Sequence, residues 1–312
     1  LASGIFFAGY LLLEVPSNLA LHRFGARRWI ARILVTWGAI AAAMAFIPQT
    51  SWLGITGEWW LIILRFLLGI AEAGFFPGVV LYLSQWFPTF RRGRIMALFM
   101  SAIPVSGLLG SPFSGWILNH FAAGQGGLAG WQWMFLLQGV PTVILGALAY
   151  FLLSDSFANA KWLTAHERAV LEADQATDLA NKPKTTSDSL LEVFKNPAIW
   201  AFGLIYFCIQ SGVYAINFWL PSIIKNMGFS DNLVIGWLSA IPYLLAAVFM
   251  LLVGRSADLR KERRWHLVVP MLMGAVGLII AVNFATTPAI AILGLTIATM
   301  GALTGLPMFW PV

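Results

Sequence analysis

Four stretches of this chain, Ile33–Gly57, Ile95–Ser154, Asn196–Ile224 and Leu267–Val312, contain no Asp, Glu, Lys or Arg. One helical crossing of a bilayer takes ~20 apolar residues, so the second and fourth stretches each hold two crossings. Water offers such runs no stable arrangement: only 10% of the 312 residues are charged and 59% are hydrophobic, too little charge to cover a soluble surface. Inside lipid every backbone N–H and C=O must be satisfied internally, which leaves helices or closed barrels. The apolar runs are continuous rather than alternating at every second residue, so barrel strands are excluded and the chain reads as an all-α polytopic membrane protein. Segmentation gives nine helices, roughly 3–21, 30–48, 59–85, 94–118, 132–153, 197–224, 233–254, 266–283 and 288–311.

The loops between them alternate in charge. Arg23, Arg27, Arg28 and Arg32 follow the first helix, and Arg91, Arg92 and Arg94 follow the third. Lys161, Arg168, Lys182, Lys184 and Lys195 lie in 155–195, and Arg255, Arg260, Lys261, Arg263 and Arg264 follow the seventh helix. The intervening loops hold only Lys225, so 17 of the 19 basic residues share one side, which the positive-inside bias makes cytoplasmic. Trp52, Trp59, Trp60, Trp131 and Trp133 gather at the opposite ends, as interfacial aromatics do. The net charge of +6 therefore reports orientation, and no nucleic acid is expected as partner. The single Cys208 lies in an apolar run, which excludes an internal disulfide and argues against a metal cluster. Leu1 opens inside one apolar helix and Val312 closes inside another, so the expectation is a fragment of a longer chain.

Segment 155–195 mixes Lys, Asp, Glu, Ser, Thr and Pro, with an amphipathic piece from Lys161 to Ala173. It reads as a cytoplasmic linker joining an N-terminal helical bundle, 1–154, to a C-terminal one, 196–312. A surface loop without a dividing role is the alternative. The halves share a signal: a shift of 236 aligns Arg27, Arg28 and Trp29 with Arg263, Arg264 and Trp265, and His22 with Asp258. Repeated halves joined in this way are a transporter architecture, with the substrate site expected between the halves near the midplane.

At these residues the chain resembles the major facilitator superfamily, whose signature loop reads G-x3-D-(R/K)-x-G-x-(R/K)-(R/K). Arg23, Gly25, Arg27 and Arg28 match it, with Asn18 and His22 in place of the Gly and the Asp. The second copy keeps Gly254, Asp258, Arg263 and Arg264. The stretches FFAGYLLLEVPSNLALHRFGARRWIAR, RFLLGIAEAGFFPG, YLSQWFP, GWQWMFLLQGVP and NFWLPSIIK are similar to the anion:cation symporter branch. Within that branch they most resemble the bacterial tartrate, phthalate and 4-hydroxyphenylacetate permeases. The resemblance implies a two-bundle helical transporter of twelve helices, of which this chain lacks the first, eleventh and twelfth. It implies a monomer in the bacterial cytoplasmic (inner) membrane that imports a small organic carboxylate with protons by alternating access. An exchanger or facilitator of the same fold is the alternative. The two signature loops, His22 to Arg28 and Gly254 to Arg264, are then the gating loops.

Glu14, Arg65 and Glu72 are the ionisable residues at membrane depth, where a charge costs ~2.5–3.5 kcal/mol on insertion scales. Seven residues is about two helical turns, so Arg65 and Glu72 point the same way but stand ~10 Å apart along the axis. That is too far for a salt bridge within one helix and suits separate jobs. The guanidinium of Arg65 can hold a carboxylate with two parallel hydrogen bonds while staying protonated. Glu72 can load and release a proton as its surroundings change. The resemblance implies the same assignment, because members of the branch carry Arg and Glu at this spacing. In the alternative, Arg65 pairs with Glu14 or a backbone carbonyl and locks helices together.

Ser3, Tyr10, Glu14 and Ser17 form a narrow stripe on the first helix, with Tyr10 at a substrate-facing position of the branch and Glu14 a candidate anchor for basic neighbours. Tyr206, Gln210, Tyr214 and Asn217 recur along another helix within about 80° of arc, and either bind substrate or pack against a neighbour. Pro221 marks a possible hinge at the end of that helix. His22, His120, His166 and His266 fall at helix ends or in loops and read as solvated. An enzyme is excluded: there is no intramembrane His, no close acidic pair and one Cys, hence no nucleophile–base pair, metal or cofactor set.

Overall fold

The computed structural model describes residues 2–48, 51, 54–157, 160, 162–181 and 195–309. Trp52, Lys161, Lys182 and Lys184, and the side chains of Arg91, Arg92 and Arg94, lie outside the described residues. The helices are α1 (Ala2–Phe24), α2 (Ala26–Ala43, continued by a 3-10 turn Met44–Phe46), α3 (Gly57–Glu72), α4 (Phe75–Trp86), α5 (Thr89–Met100) and α6 (Ala102–His120). They continue with α7 (Gly130–Leu152), α8 (Ala165–Asn181), α9 (Pro197–Asn226), α10 (Asn232–Arg260), α11 (Arg264–Asn283) and α12 (Pro288–Phe309). Among the described residues nine spans are long and apolar enough to cross a membrane, as the uncharged runs require.

Two of those spans are interrupted where continuous helices were expected. A proline has no N–H to give the carbonyl four residues earlier, and its ring collides with that carbonyl. Pro77 acts in this way on Ala73, and Pro104 on Met100. The first conflict ends α3 at Glu72 and restarts the chain as α4 at Phe75; the second parts α5 from α6 at Ser101. Proline alone does not suffice, since Pro16, Pro112, Pro141, Pro221, Pro242, Pro270 and Pro307 sit inside continuous helices. At Pro77 the deciding partner is Gly74. Ala73 at φ −52°, ψ 129° and Gly74 at φ 83°, ψ 3° form a type II turn, whose third position needs the positive φ that glycine adopts freely. Because α9 continues through Pro221 to Asn226, no helix end forms there.

Spatial proximity divides the chain into two compact units, Leu1–Arg92 with His120–Lys182, and Gly93–Asn119 with Pro183–Val312. In the first, α1 packs on α3 and α2 on α7, each through glycines that bring backbones together: Gly9 and Gly69, and Gly38 and Gly139. The start of segment 155–195 packs here too. Phe157 and Ala160 close over Trp86 with Leu163 and Leu171 beside them, and Trp162 stacks on Trp86 with ring centroids 5.6 Å apart. Thr164 and Glu167 form a reciprocal capping box that opens α8 one turn into the expected amphipathic piece. Hydrogen bonds from the Thr164 backbone and hydroxyl hold the Glu167 carboxyl below its ordinary range.

In the second unit α12 is the buried centre, with Leu295, Ala298, Thr299, Leu303 and Leu306 enclosed. Helix α11 runs along it with Gly277 against Gly294 and Gly274 against Gly301. Elsewhere large apolar side chains point outward, Leu11 and Val282 at 74% and 75% exposure among them, an arrangement suited to hydrocarbon and not to water. A Cβ on Gly277 would stand 2.6 Å from the Gly294 carbonyl oxygen, whereas one on Gly203 meets nothing within 4 Å. Gly277→Leu is therefore expected to cost about 1–3 kcal/mol and to lower the melting temperature in detergent by several degrees. Gly203→Leu leaves that temperature unchanged.

Candidate functional site

Helix α1 fits against α3 at Gly9 and Gly69: a Cβ on Gly9 would run into the Phe66 carbonyl, and one on Gly69 into that of Phe6. Further along, Ser17 meets Ala73 and Leu21 meets Gly78, so residue numbers rise together and the helices run parallel. Steps of ~100° per residue put Glu14 roughly 70° clockwise of the contact line on α1. They put Arg65 and Glu72 roughly 90–110° anticlockwise of it on α3. On parallel helices that face one another, these opposite offsets open on the same side. Tyr10 shares it, so one flank of the α1–α3 pair carries Tyr10, Glu14, Arg65 and Glu72, all half-buried.

Among the described residues, Arg65, Glu72 and Glu14 form no hydrogen bond or ion pair, and a pairing of Arg65 with Glu14 is absent. A half-buried guanidinium with five N–H donors and no protein acceptor is set up to take an anion. Ser17 does not share this exposure. It is 3% exposed and donates its hydroxyl to the Ala73 carbonyl, so it belongs to the packing between α1 and α3 and does not line the flank.

The first signature loop is anchored by a residue that the motif does not contain. The Asp155 carboxylate accepts the Arg27 backbone N–H at 2.8 Å, placing a negative charge on the amino end of α2. The Arg27 guanidinium bonds the Tyr150 carbonyl and lies 4.7 Å over the Tyr150 ring. Gly25, at φ 87°, lets the chain turn directly beneath Asp155, while His22, Arg23 and Arg28 are exposed. In the second loop Asp258 pairs with Arg263 at 2.5 Å, and Lys261 takes a left-handed conformation at φ 51°. Gly254 is half-buried and Arg264 exposed. His266 is not a free solvated side chain: its Nδ1 meets Glu262 at 2.8 Å and its Nε2 meets the Ser256 hydroxyl at 3.0 Å. The Trp265 backbone N–H and His266 together hold the Glu262 carboxyl below its ordinary range. The aligned tryptophans also part company, Trp29 being half-buried and Trp265 64% exposed.

On α9 the ridge Ile209, Val213, Ile216, Leu220 and Ile224 is buried, and the polar stripe runs beside it. Gln210 donates to the Tyr206 hydroxyl at 3.2 Å, and Tyr214 stacks with Phe218. The Asn217 amide oxygen accepts the Tyr243 hydroxyl of α10 at 2.5 Å, so at this end the stripe serves interhelical packing. That partner lies 26 residues away, and no local spacing points to it. Tyr243→Phe leaves the Asn217 acceptor unmet and is expected to cost about 1 kcal/mol, read as a lower midpoint in thermal melts of the detergent-solubilised protein.

The profile of the Major Facilitator Superfamily matches residues 1–312. A protein of Pseudomonas putida named "Putative metabolite transport protein NicT" is 45% identical over 310 residues, covering 99% of this chain and 69% of the relative. A "Putative tartrate transporter" of Agrobacterium vitis is 44% identical, covering 99% and 66% respectively. The inner membrane transport protein RhmT of Escherichia coli is 36% identical, with 99% and 69% covered. The chain thus spans about two thirds of the length of these relatives. Among solved structures, the proton:xylose symporter XylE bound to 6-bromo-6-deoxy-D-glucose superposes with a TM-score of 0.73 at 17% identity, over 98% of this chain and 70% of that one. An inward-facing bacterial Spinster homologue gives 0.67 at 16%, over 99% and 65%. That structural likeness speaks to the helical fold alone, and the match along all 312 residues to the family: the chain is a multi-pass membrane protein of the Major Facilitator Superfamily, a family of transporters and not of enzymes.

Proposed function

We propose that the protein imports a small organic carboxylate together with protons across the bacterial cytoplasmic membrane by alternating access. The observation that carries this reading is Arg65, a half-buried guanidinium with no protein acceptor among the described residues, two helical turns from the equally unpaired Glu72. Arg65 holds the carboxylate through its fixed fork of donors, and Glu72 carries the proton. Their separation of ~10 Å along the axis keeps the acid from neutralising the cation, so each can exchange its own cargo. Tyr10 on α1 and the Tyr206–Gln210 pair and Tyr214 on α9 supply neutral hydrogen-bonding contacts for the rest of the substrate. The loops His22–Arg28 and Gly254–Arg264 act as cytoplasmic gates. The similarity to a protein named for tartrate supports a hydroxylated dicarboxylate as the first substrate to try.

Uptake of labelled tartrate and a panel of organic acids into proteoliposomes of the intact protein, with and without an inward proton gradient, tests this reading. Accumulation that needs the gradient supports symport. Uptake indifferent to its collapse favours the exchanger. Arg65→Lys keeps the charge but loses the fork, and is expected to raise the apparent KM for the anion at least about tenfold, equivalent to ~1.4 kcal/mol of binding. Glu72→Gln mimics the protonated acid and is expected to abolish gradient-driven accumulation while substrate exchange continues. Persistence of both activities would remove the proton role.

A further inference from the structure

The carbonyl that Pro77 leaves without a partner belongs to Ala73, the residue directly after Glu72. In a continuous helix that carbonyl would point along the axis to the N–H of residue 77. The type II turn at Ala73–Gly74 flips the central peptide, so the carbonyl points sideways towards α1. There the Ser17 hydroxyl donates to it at 2.6 Å in a buried contact. The same hydroxyl oxygen accepts the indole N–H of Trp29 at 2.9 Å. Trp29 is itself held, with Phe24 stacked on one side at 5.6 Å and the Arg32 guanidinium 4.1 Å from its ring centroid. Gly74 closes the arrangement, because a Cβ there would lie inside van der Waals contact of the Ser17 hydroxyl. Three spans, α1, α2 and the α3–α4 pair, are thus joined by one polar chain of indole, hydroxyl and carbonyl at the foot of Glu72.

In a segment shielded from water an unmet carbonyl is strongly disfavoured, so the turn and its donor are mutually dependent. The last turn of α3 has no following helical residue to hold it. Its direction is set by where Ala73 is tied. We propose that Ser17 and Trp29 are positioning residues for the proton step, holding the Ala73–Gly74 turn and thereby aiming the Glu72 carboxyl along the flank that also carries Arg65. The proposal rests on Glu72 as the proton carrier. Neither residue touches the proton or the anion; both act through the backbone of α3.

Difference infrared spectroscopy of the intact reconstituted protein between acidic and alkaline buffer tests it without knowledge of the substrate. The C=O stretch of protonated Glu72 is isolated from that of Glu14 and the other carboxyls by subtracting the spectrum of Glu72→Gln. Ser17→Ala is expected to displace or broaden this band, because the carboxyl no longer holds one orientation. Ser17→Cys retains a weaker donor and is expected to give an intermediate displacement. Trp29→Phe keeps the hydroxyl–carbonyl bond, serves as the mildest variant should Ser17→Ala fail to fold, and shifts the band in the same direction by less. A band at its wild-type position in Ser17→Ala and Trp29→Phe overturns the proposal while leaving Glu72 as proton carrier. A spectrum that Glu72→Gln does not alter removes the proton role of Glu72, and the positioning roles fall with it.

Discussion

Lipid offers a backbone carbonyl no partner, and most of this structure answers to that constraint. It favours unbroken helix in the nine spans found among the described residues and makes the two interruptions conspicuous. The interruption at Ala73–Gly74 exists because Pro77 withdraws a donor, and it persists because Ser17 replaces it. A hydroxyl on one helix thus substitutes for an amide missing from another. The small residues that line the α1–α3 contact follow from the same need, since Ser17 reaches Ala73 only if the two backbones approach as closely as Gly9 and Gly69 permit.

The charged groups obey a related logic. Burying a cation with a matched anion gives a rigid and inert pair; burying it unpaired leaves a strong, directed affinity for whatever anion can enter. Helix α3 places a cation and an acid, both unpaired among the described residues, on one line about two turns apart. Their spacing keeps each available, and the parallel run of α1 adds Tyr10 and Glu14 to the same flank. On α9 the polar stripe divides instead: its Tyr206–Gln210 end bonds to itself, and its Asn217 end is absorbed by Tyr243.

Much of this was legible in the residues. The spans follow from uncharged runs of fixed length, and the alignment of Arg65 with Glu72 follows from helical period alone. Both are local consequences of backbone geometry. The break in α3–α4 was not legible, because proline stands inside continuous helices at Pro16, Pro141 and Pro242 and stops the helix at Pro77 only in concert with Gly74 and Ser17. The role of Asn217 depended on a tyrosine in the next helix, and that of His266 in part on Ser256, outside its own helix. Contacts made across sequence distance leave no periodic trace. The signature loop shows this most sharply, for its missing acid at His22 is answered by a carboxylate 128 residues from Arg27.

That last contact has a mechanical side. Asp155 opens segment 155–195 directly after α7, and it grips the first turn of α2 through the Arg27 amide. Phe157, Ala160, Leu163 and Leu171 then pack onto Trp86 at the end of α4. The segment is tethered at its root to α2 and α4 alike. A pull on that segment therefore loads the first turn of α2 and the end of α4 together, as a rope loads its cleats before the hull.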